Sequence, residues 1–219
     1  MEMNQIQLYL NSSNSQERLK ALTELRNYES EIAIPLLITR KRDPEFIVRS
    51  FVAMGLGNKR SPESFKTLLE MMKNDQDYNV RAEAANSLSK FGEESIPHLL
   101  ETFRQDDNWL VRRSILAPLT EMPFPEALYE VCICAIAGED LTVREAAIHA
   151  LGALAGTIKE TEALEKLLGF VSAESWMTRL RVVQALRRFE DPQAKAALSY
   201  LSRDEDHRVV GATLESSLS

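Results

Sequence analysis

The chain has 219 residues, 44% hydrophobic and 27% charged, with 8 Gly and 8 Pro. That is the make-up of a folded chain, not a disordered one. A formal net charge of −7 repels phosphate backbones, which argues against nucleic-acid binding.

No run of about 18 apolar residues exists, so no membrane span is expected. The opening Met1-Glu2-Met3-Asn4-Gln5 shows no basic or apolar export signal. Two cysteines, Cys132 and Cys134, are too few for a disulfide framework. A reducing, cytoplasmic setting is the expectation.

A two-residue anchor recurs along the chain: Glu17-Arg18, Val48-Arg49, Val80-Arg81, Val111-Arg112, Val143-Arg144, Thr178-Arg179 and His207-Arg208. The steps are 31, 32, 31, 32, 35 and 29 residues, and the second position is always Arg. A fixed period of this length marks a stack of short structural repeats, each burying its apolar face against its neighbours.

Each anchor opens a helix with apolar residues four, five and eight positions on. Examples are Val52, Ala53 and Leu56, then Ala84, Ala85 and Leu88, then Ala147, Ile148 and Leu151. That spacing is helical. The seventh unit departs from it, with Gly211, Ala212 and Glu215 in these slots.

A second apolar set precedes each anchor helix. It begins with Ile6, Leu8 and Leu10, continues through Phe65, Leu68 and Met72, and ends with Ala194, Leu198 and Leu201. Pro35, Pro62, Pro97, Pro125 and Pro192 are expected in the first turns of these helices, where the missing N–H is harmless. Ser61 and Asp191 are natural N-caps. Asp and Asn in the polar turns are expected to cap the anchor helices, and Gly57, Gly92, Gly152 and Gly156 to end them.

The pattern Asp-x-x-Val-Arg-x-x-Ala-Ala-x-x-Leu, at Asp77–Leu88 and Asp140–Leu151, resembles a HEAT repeat. The short period and the Val-Arg pair resemble the phycobilisome-lyase-like HEAT subfamily of cyanobacteria. The resemblance implies an all-α, right-handed α-solenoid of about seven HEAT-like helix pairs, forming one domain over 1–219. It also implies a non-enzymatic scaffold for a protein partner. Phycobiliprotein, a lyase partner subunit handling bilin, or an A-type iron–sulfur carrier are the partners that the resemblance suggests.

The arginine column is Arg18, Arg49, Arg81, Arg112, Arg144, Arg179 and Arg208. It reads either as an anion-binding stripe or as an internal ladder bonded to turn Asp and carbonyl groups. The ladder is preferred, since Arg suits bidentate pairing with carboxylate.

An aromatic column two residues before the anchor (Phe46, Tyr78, Trp109 and Trp176, with Leu141) reads as packing in preference to partner contact. The face opposite the buried stripe carries the candidate partner site: Phe51, Met54, Glu83, Asn86, Arg113, Glu145 and His149. Whether Phe51 and Met54 are exposed is open at this point. Cys132 and Cys134 read as core residues, and no metal or cofactor site is expected. No phosphate-binding glycine loop, nucleophile elbow or His-Glu di-iron pair is present.

Overall fold

A computed structural model describes residues 1–214. The described residues form fourteen α-helices in seven successive pairs. The first helices of the pairs are α1 (Met3–Leu10), α3 (Ser30–Ile38), α5 (Pro62–Asn74), α7 (Ile96–Gln105), α9 (Pro125–Ala137), α11 (Glu160–Leu168) and α13 (Pro192–Leu201). The second helices are α2 (Ser15–Glu24), α4 (Phe46–Asn58), α6 (Tyr78–Ser89), α8 (Trp109–Leu119), α10 (Leu141–Ala150), α12 (Trp176–Leu186) and α14 (His207–Leu214). The chain gathers into two compact units, Met1–Ile115 and Leu116–Ser219, and the division falls within α8.

Caps explain where the helices start. Ser61 accepts the Ser64 N–H and Asp191 the Gln193 N–H, each with proline opening the helix behind it. Asn14, Asp77, Asp140 and Ser175 do the same for α2, α6, α10 and α12. Pro35 differs from expectation: α3 begins at Ser30, which places this proline inside the helix.

In the first unit the second helices pack side by side, α2 on α4 and α4 on α6; in the second unit α10 packs on α12 and α12 on α14. Their buried stripes are the anchor valines and the small or branched residues behind them: Val48, Val52, Ala53 and Leu56 in α4, and Val143, Ala147 and Ile148 in α10. On the first helices, Ile6 and Leu10 are buried while Leu8 points outward.

The glycines serve two purposes. Gly92 and Gly156 have φ of 70° and 74°, the left-handed conformation that terminates a helix without a Cβ penalty. Gly57 and Gly152 do not. A Cβ on Gly57 would stand 2.6 Å from the Ser87 Cβ, and one on Gly152 would stand 2.9 Å from the Ala185 Cα. These two are glycines because the next second helix comes too close for a methyl group.

The last anchor is out of register with the sequence pattern. Helix α14 begins at His207, and Asp206 O accepts the N–H groups of Val209 and Val210. In α6, Asp77 O receives Val80 and Arg81 in the same way. The seventh pair is therefore Val209-Val210, which makes the last step 31 residues from Thr178. Arg208 lies outside the column and bonds back to Asp206, with Nη2–Oδ2 at 2.7 Å. Glu215 lies outside the described residues.

Candidate functional site

Four arginines of the column make one repeated arrangement. The Nη1 of Arg49 donates to the carbonyls of Asp43 and Pro44, at 2.8 and 3.3 Å. Its Nε and Nη2 grip both oxygens of Asp75 at 2.8 Å. Arg81 repeats this with Asp75 O, Gln76 O and Asp106, and Arg179 with Ala173 O, Glu174 O and Asp204. Arg18 takes Ser12 O and Ser13 O, and its Nη2 reaches Asp43 Oδ1 at 2.9 Å. Its Nε stands 2.8 Å from Asp43 Oδ2.

Each carboxylate in these rungs lies two residues before the next anchor helix's N-cap and also accepts that N-cap's own N–H. Asp43, Asp75 and Asp204 accept from Glu45, Asp77 and Asp206. The turn thus folds around the same side chain that ties it to the preceding repeat. Hydrogen bonding to Arg179 holds the Asp204 carboxyl below its ordinary range, and Asp75 raises the Arg49 guanidinium.

Arg112 and Arg144 depart from the pattern. Arg112 bonds to Phe103 O and the exposed Asp107, and its guanidinium lies over the Phe103 ring. Arg144 makes no hydrogen bond or ion pair among the described residues, and its buried Nε has no partner. The sequence shows why: the carboxylate slot holds Gly138 and Ala173 in the fifth and sixth repeats.

The candidate partner residues fall in both units and are placed as follows. In the first, Phe51 is half-buried and Met54 is 38% exposed. Both line a cleft of about 270 Å³ with Leu22, Leu25, Leu37 and Arg26. Asn86 and Arg113 are exposed. Glu83 is half-buried and accepts a long bond from Ser87 Oγ, and burial raises its carboxyl pKa.

In the second unit, Glu145 Oε1 accepts from Thr178 Oγ1 at 2.5 Å while its Oε2 is buried without a partner. His149 keeps an exposed edge. Partial burial, then Arg181 and Arg188, lower its pKa.

The aromatic column does not pack as expected. Phe46, Tyr78 and Trp109 are the first residues of α4, α6 and α8, and they are 41%, 45% and 42% exposed. At the first helical position the side chain has no preceding turn to cover it, so each of these residues keeps a solvent-exposed part. Trp176 is half-buried beneath the Arg208 guanidinium, 3.3 Å from the ring centroid.

Cys132 is buried and Cys134 partly so, and burial alone pushes the Cys132 thiol well up in pKa. Such a thiol is a poor nucleophile and metal ligand. No group of three or more His, Cys, Asp or Glu placed to hold a metal ion occurs among the described residues, and none of their helices is long and apolar enough to cross a membrane.

The family model for HEAT repeats matches residues 34–120, 96–169 and 130–219. The chain belongs to the HEAT-repeat family. Among solved structures, this HEAT-repeat chain is similar to YibA of E. coli, with a TM-score of 0.61 and 16% identity over 99% of this chain and 92% of that one. It is also similar to the complex of CpcE and CpcF of phycocyanin lyase from Nostoc sp. PCC7120, with a TM-score of 0.55 and 19% identity over 100% and 87%. An engineered protein matches with a TM-score of 0.55 and 17% identity over 96% and 66%. These likenesses establish the fold. No curated protein matches the chain.

Proposed function

We propose that this HEAT-repeat chain is a non-enzymatic scaffold that takes an apolar side chain of a partner protein into the cleft beside Phe51 and Met54. One observation carries the reading: the first unit leaves a cleft of about 270 Å³ beside its second helices, with a mostly apolar wall. An apolar pocket with a charged rim is the make-up of an interface anchor. Exposed Arg26 on the rim suits a partner with an acidic residue next to its apolar anchor.

The double change Phe51→Ala, Met54→Ala should weaken partner binding by about 2 kcal/mol or more, the scale of hot-spot truncation. The measurement is a titration of both proteins beside their melting curves. Equal affinity would move the site elsewhere. A large fall in melting temperature would show that these side chains are structural.

The fold shared with the CpcE–CpcF complex supports a chromophore-handling reading only at the level of architecture. Mixing with free bilin tests it: an absorbance change, alone or with a partner subunit, would favour a lyase-like role. An A-type iron–sulfur carrier belongs in the same binding series as a candidate partner.

A further inference from the structure

In the second unit the missing rung leaves an opening of about 550 Å³, lined by Leu141, Arg144, Glu145, Phe170, Ala173 and Met177 among others. Three observations meet there. Arg144 has a buried, unpartnered Nε and no bond to another side chain. Glu145 Oε2 is likewise buried and unpartnered. Leu141 and Met177 stand 68% and 41% exposed on the same wall. Unmade hydrogen bonds at buried polar atoms cost free energy, so a donor and an acceptor left open together need an explanation.

The backbone of the turn is not at fault. Ala173 O and Glu174 O are held by Arg179 at 2.8 and 2.9 Å, as Asp75 O and Gln76 O are held by Arg81. At position 173 a methyl group stands where the complete rungs carry a carboxylate. The space beside Arg144 is therefore the space an aspartate side chain fills elsewhere.

We propose that this opening binds an extended segment of a partner protein through an aspartate or glutamate carboxylate seated on Arg144. The partner supplies in trans the rung that the sixth repeat lacks. Arg144 donates to the carboxylate in the bidentate manner of its sister residues. Glu145 Oε2 accepts a backbone N–H of the same segment, and an apolar neighbour of the acidic residue lies against Leu141 and Met177. Sulfate offers no donor for Glu145, and no inorganic anion offers apolar surface for the wall. The second carboxylate in the lining, Glu174, is exposed and solvated, and it narrows selection to a segment with a single acidic side chain. The inference rests on the scaffold reading above but concerns a different site.

The test is selection on the immobilised full chain from two terminally blocked peptide pools. One has a fixed central Asp and randomised neighbours; the other has Asn in its place. The expected result is enrichment of the Asp pool with Leu, Ile or Phe beside the fixed residue, at least tenfold over the Asn pool. Arg144→Gln should abolish it with an unchanged melting temperature, since that side chain makes no bonds to lose. Ala173→Asp should also abolish it, while raising the melting temperature by closing the rung.

Equal recovery of the two pools on wild type would overturn the proposal, as would persistent enrichment on Arg144→Gln or Ala173→Asp. The Phe51→Ala, Met54→Ala variant separates the two sites. Retained Asp-dependent enrichment there, with loss in Arg144→Gln, supports this one. A protein partner lost in the double variant but unaffected by Arg144→Gln would overturn this inference and leave the scaffold reading standing.

Discussion

Arg81 and Arg144 share one sequence slot and opposite surroundings, so identical substitutions should behave differently. Arg81→Ala removes bonds to two carbonyls and to both oxygens of Asp106, and leaves that part-buried carboxylate uncompensated. A loss of roughly 1.5–3 kcal/mol is expected, as for charge-assisted bonds. Arg144→Ala removes none and should change stability by less than about 0.5 kcal/mol, the range of unremarkable surface changes. Paired urea melts check both, and equal losses would mean that the hydrogen-bonded rungs are not what stabilises these turns. Glu83 supplies a pH test of the opposite kind. Burial raises its folded pKa above the unfolded value, so its ionisation costs stability at neutral pH. The cost is relieved as pH falls through the raised pKa. Glu83→Gln should therefore be more stable than wild type at pH 7, and the advantage should shrink toward pH 4. A difference that does not vary with pH would assign the effect to packing.

At the scale of helices, the clearest wager concerns Gly57. In an open helix, Gly→Ala gains about 1 kcal/mol from propensity. Here the new methyl would meet Ser87 at 2.6 Å and the Ser87 Cα at 3.0 Å, so α4 and α6 would have to separate. Overpacking of this sort costs about 1–3 kcal/mol, and the net sign should be destabilising. Ser87→Gly should recover part of the loss in Gly57→Ala, as measured by thermal melts of the single and double variants; an additive double would rule out the clash. Sequence alone shows that a glycine stands near the end of α4, but the reason is a neighbour about thirty residues away, invisible to local pattern. Helix starts were legible because caps are local: Ser61, Asp77, Asp140 and Asp191 each bond within three residues. The last anchor was misread for the same cause in reverse. Arg208 matched by residue type, while the register is set by the Asp206 carbonyl. The gap at Arg144 was written in the sequence as Ala173, but it becomes a signal only once Asp43, Asp75 and Asp204 are known to be the partners of the column. The exposure of Phe46, Tyr78 and Trp109 was hidden because aromatic residues at a repeated position suit packing and display equally well.

For the molecule as a whole, the rungs are unevenly distributed. The first unit holds three complete ones, Arg18–Asp43, Arg49–Asp75 and Arg81–Asp106. The second holds one among the described residues, Arg179–Asp204, and carries the unpaired Arg144. In a repeat protein, stability is close to a sum of intrinsic and nearest-neighbour terms, so a local deficit is felt locally and not averaged over the chain. The second unit should therefore open first. One tryptophan lies in each, Trp109 in the first and Trp176 in the second, so the chain contains its own reporters. Trp176→Phe leaves Trp109 to follow the first unit; Trp109→Phe leaves Trp176 to follow the second. A difference of two complete rungs at about 1 kcal/mol net each, divided by an m-value of roughly 2 kcal/mol/M, separates the urea midpoints by about 1 M, with Trp176 changing first. Ala173→Asp in the Trp109→Phe background should narrow the gap, because it restores a rung only on the weaker side. Coincident transitions in both single-tryptophan proteins would show that the chain unfolds as one cooperative body and that the rungs do not set its order of opening. A Trp109 transition preceding that of Trp176 would reverse the ranking of the two units.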